Sequence, residues 1–196
     1  MALQLVNGPT SPFGRMTKVV GLELELDIVE TVIDVYNAEF LDRWNPLRQI
    51  PTLIVDDKIA IYDSRNICTY FDRLSTRPTL FPDADFDHLS RFSLALGTME
   101  AGLQRRMEMI RPKGKKSAAV IEKLEVRIGR CLAHLEGLAE EIAHDEIRMD
   151  QIATACALEY TDYRYSESWR DTCPKLATWI AEFSQRNSML ISRPNE

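Results

Sequence analysis

The sequence predicts an α/β domain followed by an all-α domain. In the first part of the chain, short β-branched runs alternate with stretches of helical periodicity. Beyond Phe86 only helical periodicity remains. Between them, Ser75–Phe86 contains two prolines and several turn-forming residues. We therefore place the first domain at residues 1–76, a linker at 77–86 and the helical domain at 87–196.

Composition and charge exclude several classes of protein. The 196 residues are 45% hydrophobic, which is enough to bury a core. The net charge of -6 and the pI near 5.2 argue against a nucleic-acid-binding surface. No apolar run approaches the roughly 20 residues of a membrane span, and the first residues do not resemble a signal peptide. The four cysteines form no C-x-x-C or metal-ligand cluster, so we expect reduced thiols in a cytoplasmic protein without a bound metal.

The first elements alternate between strand and helix. Leu3–Val6 is predicted as a strand, and a short turn leads to Ser11, which takes the N-cap position of a helix with Pro12 at its first position. Ile28–Val35 alternates in part and predicts a second strand, and Ala38–Trp44 predicts a short helix. The buried face of the first helix is expected to carry Phe13, Met16, Val20 and Leu24.

A hairpin is predicted next. Thr52–Val55 and Ile59–Tyr62 are short β-branched strands, and Asp56-Asp57 between them is typical of a tight turn. A proline directly before a strand needs a structural reason. A cis Ile50-Pro51 peptide bond in a tight turn would supply one, so we expect that bond to be cis.

An amphipathic helix follows the hairpin. Asp63-Ser64 is a typical helix start, because short polar side chains cap the free backbone N–H groups of a first turn. The apolar face of this helix is expected to consist of Ile67, Tyr70, Phe71 and Leu74.

Four helices are predicted in the second domain. Two long amphipathic patterns, Asp87–Ile110 and Ser117 to about Ala143, are separated by the helix-breaking sequence RPKG. Asp150–Tyr163 is rich in small and apolar residues, which predicts a buried central helix. Lys175–Arg186, opened by a proline, is the last predicted helix.

The stretch NPLRQIPTLIVDDKIAIYDSRNICTYFDRL resembles the glutathione-binding half of a glutathione transferase. The residues that match the family pattern in register are Asn45-Pro46, Ile50-Pro51, Leu53 and Asp63-Ser64. The resemblance implies a thioredoxin-like first domain within the glutathione transferase fold. The segments SPFGR and MEMIRPKGKKSA are most similar to a bacterial subgroup with a serine-type active site.

The resemblance implies a catalytic role for Ser11. In serine-type transferases the serine of an S-P-F motif stabilises the thiolate of glutathione, and Ser11 of TSPFGR matches it. A hydroxyl at a helix N-terminus favours a thiolate by hydrogen bonding and through the helix dipole. Thr10 is the alternative activating hydroxyl. A non-catalytic interpretation also stands, in which Ser11 only caps the helix.

The resemblance also implies a glutathione site at two other segments. The γ-glutamyl carboxylate is expected at the helix N-terminus with the Ser64 hydroxyl, and the ammonium group beside Asp63. The backbone of Ile50, next to Pro51, is expected to pair with the cysteinyl part of the tripeptide. Phe13 belongs to the implied glutathione-binding set.

The chain departs from the family pattern near the glycyl end of the implied site. Gln49 stands where many relatives carry a lysine that reaches the glycyl carboxylate. Gln49 can donate hydrogen bonds but carries no charge. Arg48 replaces the usual glycine and is the candidate to compensate for the missing charge.

The implied activity is that of a glutathione transferase in detoxification. Glutathione is the expected co-substrate, and the protein conjugates it to a small electrophile or uses it to reduce or isomerise one. The alternative is a non-catalytic binding or regulatory protein with the same fold, because a fold does not fix a function.

The second substrate and the partner are also expectations from the resemblance. Met107, Arg111 and Tyr163 are candidate residues of the electrophile pocket, although Met107 as a core residue and Arg111 as a solvated one fit equally well. We expect a homodimer in which the helix from Ser64 packs on the partner's Asp87–Ile110 helix. No nucleic-acid or membrane partner is expected.

Overall fold

The computed structural model describes residues 1–34, 37–82, 85–165 and 168–194. The chain forms two compact units, one of Met1–Phe81 with the segment from Arg186 onward, and one of Pro82–Gln185. The sequence had placed the segment from Arg186 in the helical domain. Within the described residues, no helix is both long and apolar enough to cross a membrane.

The first unit contains a four-stranded mixed sheet. Its strands lie in the order β2-β1-β3-β4, where β1 runs parallel to β2 and antiparallel to β3, and β3 runs antiparallel to β4. The strands are β1 (Leu3–Asn7), β2 (Val29–Val32), β3 (Thr52–Val55) and β4 (Ile59–Ile61). Asp56 and Asp57 both have a φ of 51°, which is the backbone of a tight hairpin turn as the sequence predicted.

Two helices cover this sheet. They are α1 (Pro12–Glu23) and α2 (Ser64–Leu74), and their buried faces include Met16, Val20 and Phe71. With the sheet they form the thioredoxin-like arrangement, so the predicted fold class is confirmed.

Two predicted elements of this unit differ from the structure. The second strand ends at Val32, and beyond it the Asp34 carbonyl accepts the Asn37 N–H at 3.0 Å. Val35, which the prediction included, lies outside the described residues. The short helix expected over Ala38–Trp44 is a 3-10 helix over Glu39–Arg43.

All regular elements among the described residues of the second unit are helices. Its helices are α3 (Phe86–Met109), α4 (Ala118–Gly137), α5 (Ala139–Ile142), α6 (Met149–Arg164), α7 (Trp169–Thr172) and α8 (Pro174–Phe183), and α9 (Asn187–Ile191) belongs to the first unit. As predicted, α6 is a buried helix, and it packs along α3. The helix expected up to about Ala143 is divided at Leu138 into α4 and α5, and α7 and α9 were not predicted.

A buried charged cluster joins α3 to α6. The Asp150 carboxylate accepts from Arg91 Nε at 2.7 Å and lies 3.1 Å from His88 Nδ1. Burial raises the pKa of Asp150, but the nearby His88 ring and the Arg91 guanidinium outweigh it and leave the pKa below its ordinary value. The N-cap of α6 is Arg148, whose backbone N–H donates to Gln151 Oε1 at 2.8 Å. Asp150 is therefore not the cap of α6, and its side chain instead binds Arg91 of the neighbouring helix α3.

Candidate active site

Strand pairing brings three predicted site segments to one edge of the sheet. The register pairs Val6 with Thr52 and Leu53 with Ile61. Thus the end of β1, the start of β3 and the end of β4 meet at the same edge, which carries the segments around Ser11, Ile50-Pro51 and Asp63-Ser64. The Gly8 and Ile50 segments are in contact, since a Cβ on Gly8 would lie 2.4 Å from Ile50 Cδ1.

Ser11 is the N-cap of α1, as the sequence predicted. Its Oγ accepts the N–H of Gly14 at 3.1 Å, and its backbone carbonyl accepts the N–H of Arg15 at 2.9 Å. The cap bond uses a lone pair of the hydroxyl and leaves its proton free to be donated. Capping and thiol activation by the half-buried Ser11 are therefore compatible. Thr10, also half-buried, lies in the turn before it.

Asn7, at the end of β1, packs against the first turn of α1 on the side that faces the sheet. It is 3% exposed, and its Oδ1 accepts the Gly8 N–H at 2.8 Å while its Nδ2 donates to Glu30 at 2.9 Å. A Cβ on Gly14 would lie 1.5 Å from Asn7 Oδ1, so a glycine is required at this position of the helix. Sequence analysis assigned no role to Asn7 or Gly14. The sequence predicts only a turn between the first strand, which it ends at Val6, and Ser11, whereas Asn7 is the last residue of β1.

The Ile50-Pro51 bond is cis, which confirms the prediction. Buried Asn45 holds this loop, because its Nδ2 donates to the Gln49 carbonyl at 3.0 Å and to Thr52 Oγ1 at 2.9 Å. Among the described residues, none hydrogen bonds to the Ile50 backbone. An extended peptide can therefore pair with this backbone as an added strand.

The start of α2 is suited to binding an anion. Asp63 caps the helix by accepting the Arg65 N–H at 2.9 Å and the Asn66 N–H at 3.4 Å, and its side chain is exposed. Ser64 is 6% exposed, and no other group in the described parts of the chain hydrogen bonds to its hydroxyl. This hydroxyl and the helix N-terminus can hold a carboxylate together.

The remaining glutathione-site candidates have different surroundings. Gln49 is exposed and Phe13 is half-buried. The Arg48 guanidinium forms a two-bond ion pair with Asp42, and this pairing raises the pKa of Arg48. Arg48, expected to compensate for the missing lysine, therefore already has a carboxylate partner.

The three electrophile-pocket candidates do not lie together. Met107 and Arg111 line a surface cleft between α3 and α4, and Arg111 Nη1 lies 3.1 Å from the Glu108 carboxylate. Met107 is 41% exposed, so it is not a core residue. Tyr163 does not line this cleft, and its ring lies 4.3 Å below the Arg164 guanidinium.

Among the described residues, no group of three or more His, Cys, Asp or Glu side chains is arranged to hold a metal ion. The polar groups gathered at the sheet edge are hydroxyls, backbone N–H and C=O groups and the accepting carboxylate of Asp63. This set suits hydrogen bonding to a peptide with charged ends.

Comparison with known proteins gives the family. Residues 10–74 match the family model described as glutathione S-transferase, N-terminal domain. The chain is 33% identical to a glutathione transferase family member from Pseudomonas fluorescens Pf-5, solved with bound glutathione, with 100% of both chains covered and a TM-score of 0.92. It is 30% identical to a glutathione S-transferase from Methylobacillus flagellatus KT, solved with glutathione bound, covering 99% of this chain and 100% of that one, with a TM-score of 0.93. It is 28% identical to the uncharacterized GST-like protein YibF of Escherichia coli strain K12, over 98% of both chains. The chain belongs to the glutathione transferase family.

Proposed function

We propose that this protein is a serine-type glutathione transferase that binds glutathione at the sheet edge and activates its thiol with Ser11. The observation that carries this proposal is the meeting at one edge of two helix N-termini and the Ile50 backbone, with which no described residue pairs. Related proteins with 33% and 30% identity were solved with glutathione bound, which supports the same ligand here.

In the proposed complex the tripeptide spans the edge. The γ-glutamyl carboxylate lies at the N-terminus of α2 and accepts from Ser64, and the ammonium group lies beside Asp63. The cysteinyl backbone pairs with Ile50, the residue before the cis proline. Gln49 donates a neutral hydrogen bond near the glycyl end, and Phe13 packs against the ligand.

Ser11 then acts on the sulfur. An ordinary thiol has a pKa of about 8.5, so most of it is protonated at neutral pH. The Ser11 hydroxyl donates to the sulfur, and the N-terminus of α1 adds a favourable dipole, and both effects are stronger for the thiolate. The thiolate, whose proton passes to water, attacks a small electrophile in a detoxification reaction. In a conjugation the new bond to sulfur remains, and in an isomerisation it breaks again and returns glutathione. In a reduction a second glutathione thiol attacks the bound sulfur, so that the electrophile leaves reduced and glutathione disulfide is formed.

Replacing Ser64 by alanine is expected to weaken glutathione binding about 10- to 100-fold, because a hydrogen bond to a charged group contributes roughly 1.5–3 kcal/mol. Isothermal titration calorimetry with glutathione measures this change. Thr69→Ala on the same helix is the matched control, because Thr69 donates to the Arg65 carbonyl at 2.9 Å and is expected to leave affinity unchanged.

Equal affinities of wild type and Ser64→Ala would contradict the proposed binding mode. If wild-type protein shows no heat of binding to glutathione, the result favours the alternative of a non-catalytic binding or regulatory protein.

We also propose a homodimer in which α2 packs on the partner's α3. Phe86 at the start of α3 is 74% exposed, so a charged side chain at this position costs the free chain little but disfavours an interface formed by α3. Sedimentation at micromolar concentration is expected to give a dimer for wild type and a monomer for Phe86→Glu. Ile191→Glu, at a position 53% exposed on α9, is expected to remain dimeric. A wild-type monomer would contradict the proposal.

A further inference from the structure

Helix α9 contacts both ends of α1. At the start of α1, Arg15 Nε lies 3.3 Å from Ser192 Oγ and Arg15 Nη2 lies 3.2 Å from the Met189 carbonyl. At the end of α1, Glu23 accepts from Arg186 Nε at 2.8 Å, from Arg186 Nη2 at 2.7 Å and from the Ser188 hydroxyl. The start of one helix meets the end of the other, so the two run antiparallel and α1 is fixed at two separate points.

The contact at Arg15 is a buried one. Arg15 is 6% exposed, and a guanidinium removed from water must keep its hydrogen bonds to avoid a large desolvation cost. The end of α9 supplies a hydroxyl and a carbonyl for this purpose. The guanidinium is planar with its donors in a fixed fork, so these bonds also restrict the rotation of α1 about its axis.

Arg15 is also directly coupled to Ser11. Its backbone N–H donates to the Ser11 carbonyl at 2.9 Å, and this bond closes the first turn of α1. On the sheet side the same turn rests on Asn7, which leaves no space for a Cβ at Gly14. The first turn is therefore held between Asn7 on one side and, through the Arg15 side chain, the end of α9 on the other.

We propose that the segment from Arg186 to Pro194 is a positioning element for Ser11 that acts through Arg15. Arg15 is a positioning residue, since it contacts the capped turn and not the reacting atoms. The inference rests on the proposed function, because it concerns how the Ser11 hydroxyl is oriented toward the glutathione sulfur. It assigns a role in thiol activation to the end of the chain, which returns to the first unit.

The test compares Arg15→Met with Glu23→Gln by titrating the thiolate absorbance of bound glutathione. Both variants lose a contact to α9, so both are expected to unfold at lower denaturant concentration. Only Arg15→Met is expected to raise the thiol pKa, by about half a unit, a fraction of the change expected for loss of the Ser11 hydroxyl. Arg15→Lys keeps the positive charge but lacks the planar guanidinium. The thiol pKa in this variant is therefore expected to lie between those of wild type and Arg15→Met.

Ser192→Ala keeps the test decisive if Arg15→Met does not fold. It removes the acceptor of Arg15 Nε and the hydroxyl's own bond to the Met189 carbonyl, but it keeps the Arg15 charge, and it is expected to shift the thiol pKa in the same direction by a smaller amount. The inference is wrong if Arg15→Met and Ser192→Ala lower stability while the thiolate titration stays at its wild-type position. It is also wrong if Glu23→Gln shifts the titration as much as they do. Failure of the proposed function is distinguished by Ser11→Ala, which would then leave the titration unchanged as well.

Discussion

Replacing Ser11 by alanine is expected to lower turnover near neutral pH about 10- to 100-fold and to leave glutathione affinity nearly unchanged. The hydroxyl contacts the sulfur in the proposed complex, whereas affinity comes mainly from Ser64, Asp63 and the Ile50 backbone. A hydrogen bond to a charged acceptor contributes roughly 1.5–3 kcal/mol, and 1.36 kcal/mol corresponds to one pKa unit. The bound thiol is therefore expected to titrate about one to two units higher in the variant, with less thiolate at pH 7.

The structure supplies a matched control for the lost helix cap. Ser117 caps α4 by accepting the Val120 N–H at 3.3 Å, as Ser11 caps α1. Each alanine variant is expected to lose about 1 kcal/mol of stability, but only Ser11→Ala is expected to change the thiolate titration. If Thr10→Ala shifts the titration and Ser11→Ala does not, Thr10 is the activating residue. If neither shifts it, Ser11 is only a cap.

Replacing Asp150 by asparagine is expected to destabilise the protein by about 3–5 kcal/mol, because it leaves the buried Arg91 guanidinium without its carboxylate. The pKa of Asp150 is lowered in the folded state, so the carboxylate stabilises the fold above its ordinary pKa of 3.8 and the contribution is lost as pH falls through the lower folded-state value. Chemical denaturation at several pH values measures the free energy of unfolding. The difference in this free energy between wild type and variant is expected to become smaller below about pH 4.

The control for this result is Asp87→Asn, the same change at an exposed position of the first turn of α3. It is expected to change stability by less than about 0.5 kcal/mol. The double variant Asp150→Leu with Arg91→Met is expected to be more stable than Asp150→Asn, since it removes both buried charges. A loss of under about 1 kcal/mol in Asp150→Asn would show that the cluster is unimportant for stability.

Local signals in the sequence were sufficient for the elements that build the site. Strand β3 was predicted at its observed bounds, Asp63 and Ser11 cap the helices that they were expected to begin, and the peptide bond before Pro51 is cis. Each of these features depends on residues close together in the sequence, such as a β-branched run, a capping side chain or a proline directly before a strand.

Side-chain pairs between distant positions could not be predicted in the same way. Periodicity shows that a helix has a buried face but not which polar groups meet on it, so the pairing of Arg91 with Asp150 was not foreseen. The return of α9 to the first unit depends on Arg15 and Glu23, which are more than 160 residues away from their partners. Likewise, Arg48 was considered for its charge alone, and its partner Asp42 was not recognised.

The shared space between Asn7 and Gly14 makes these two positions dependent on each other in evolution. A methyl group at position 14 would overlap the Asn7 amide, so glycine can be replaced there only after residue 7 has become smaller. A smaller residue 7 would in turn lose the bonds to the Gly8 N–H and to Glu30. Neither single substitution leaves the Ser11 turn intact, so descendants of this sequence are expected to keep both residues or to change them as a pair.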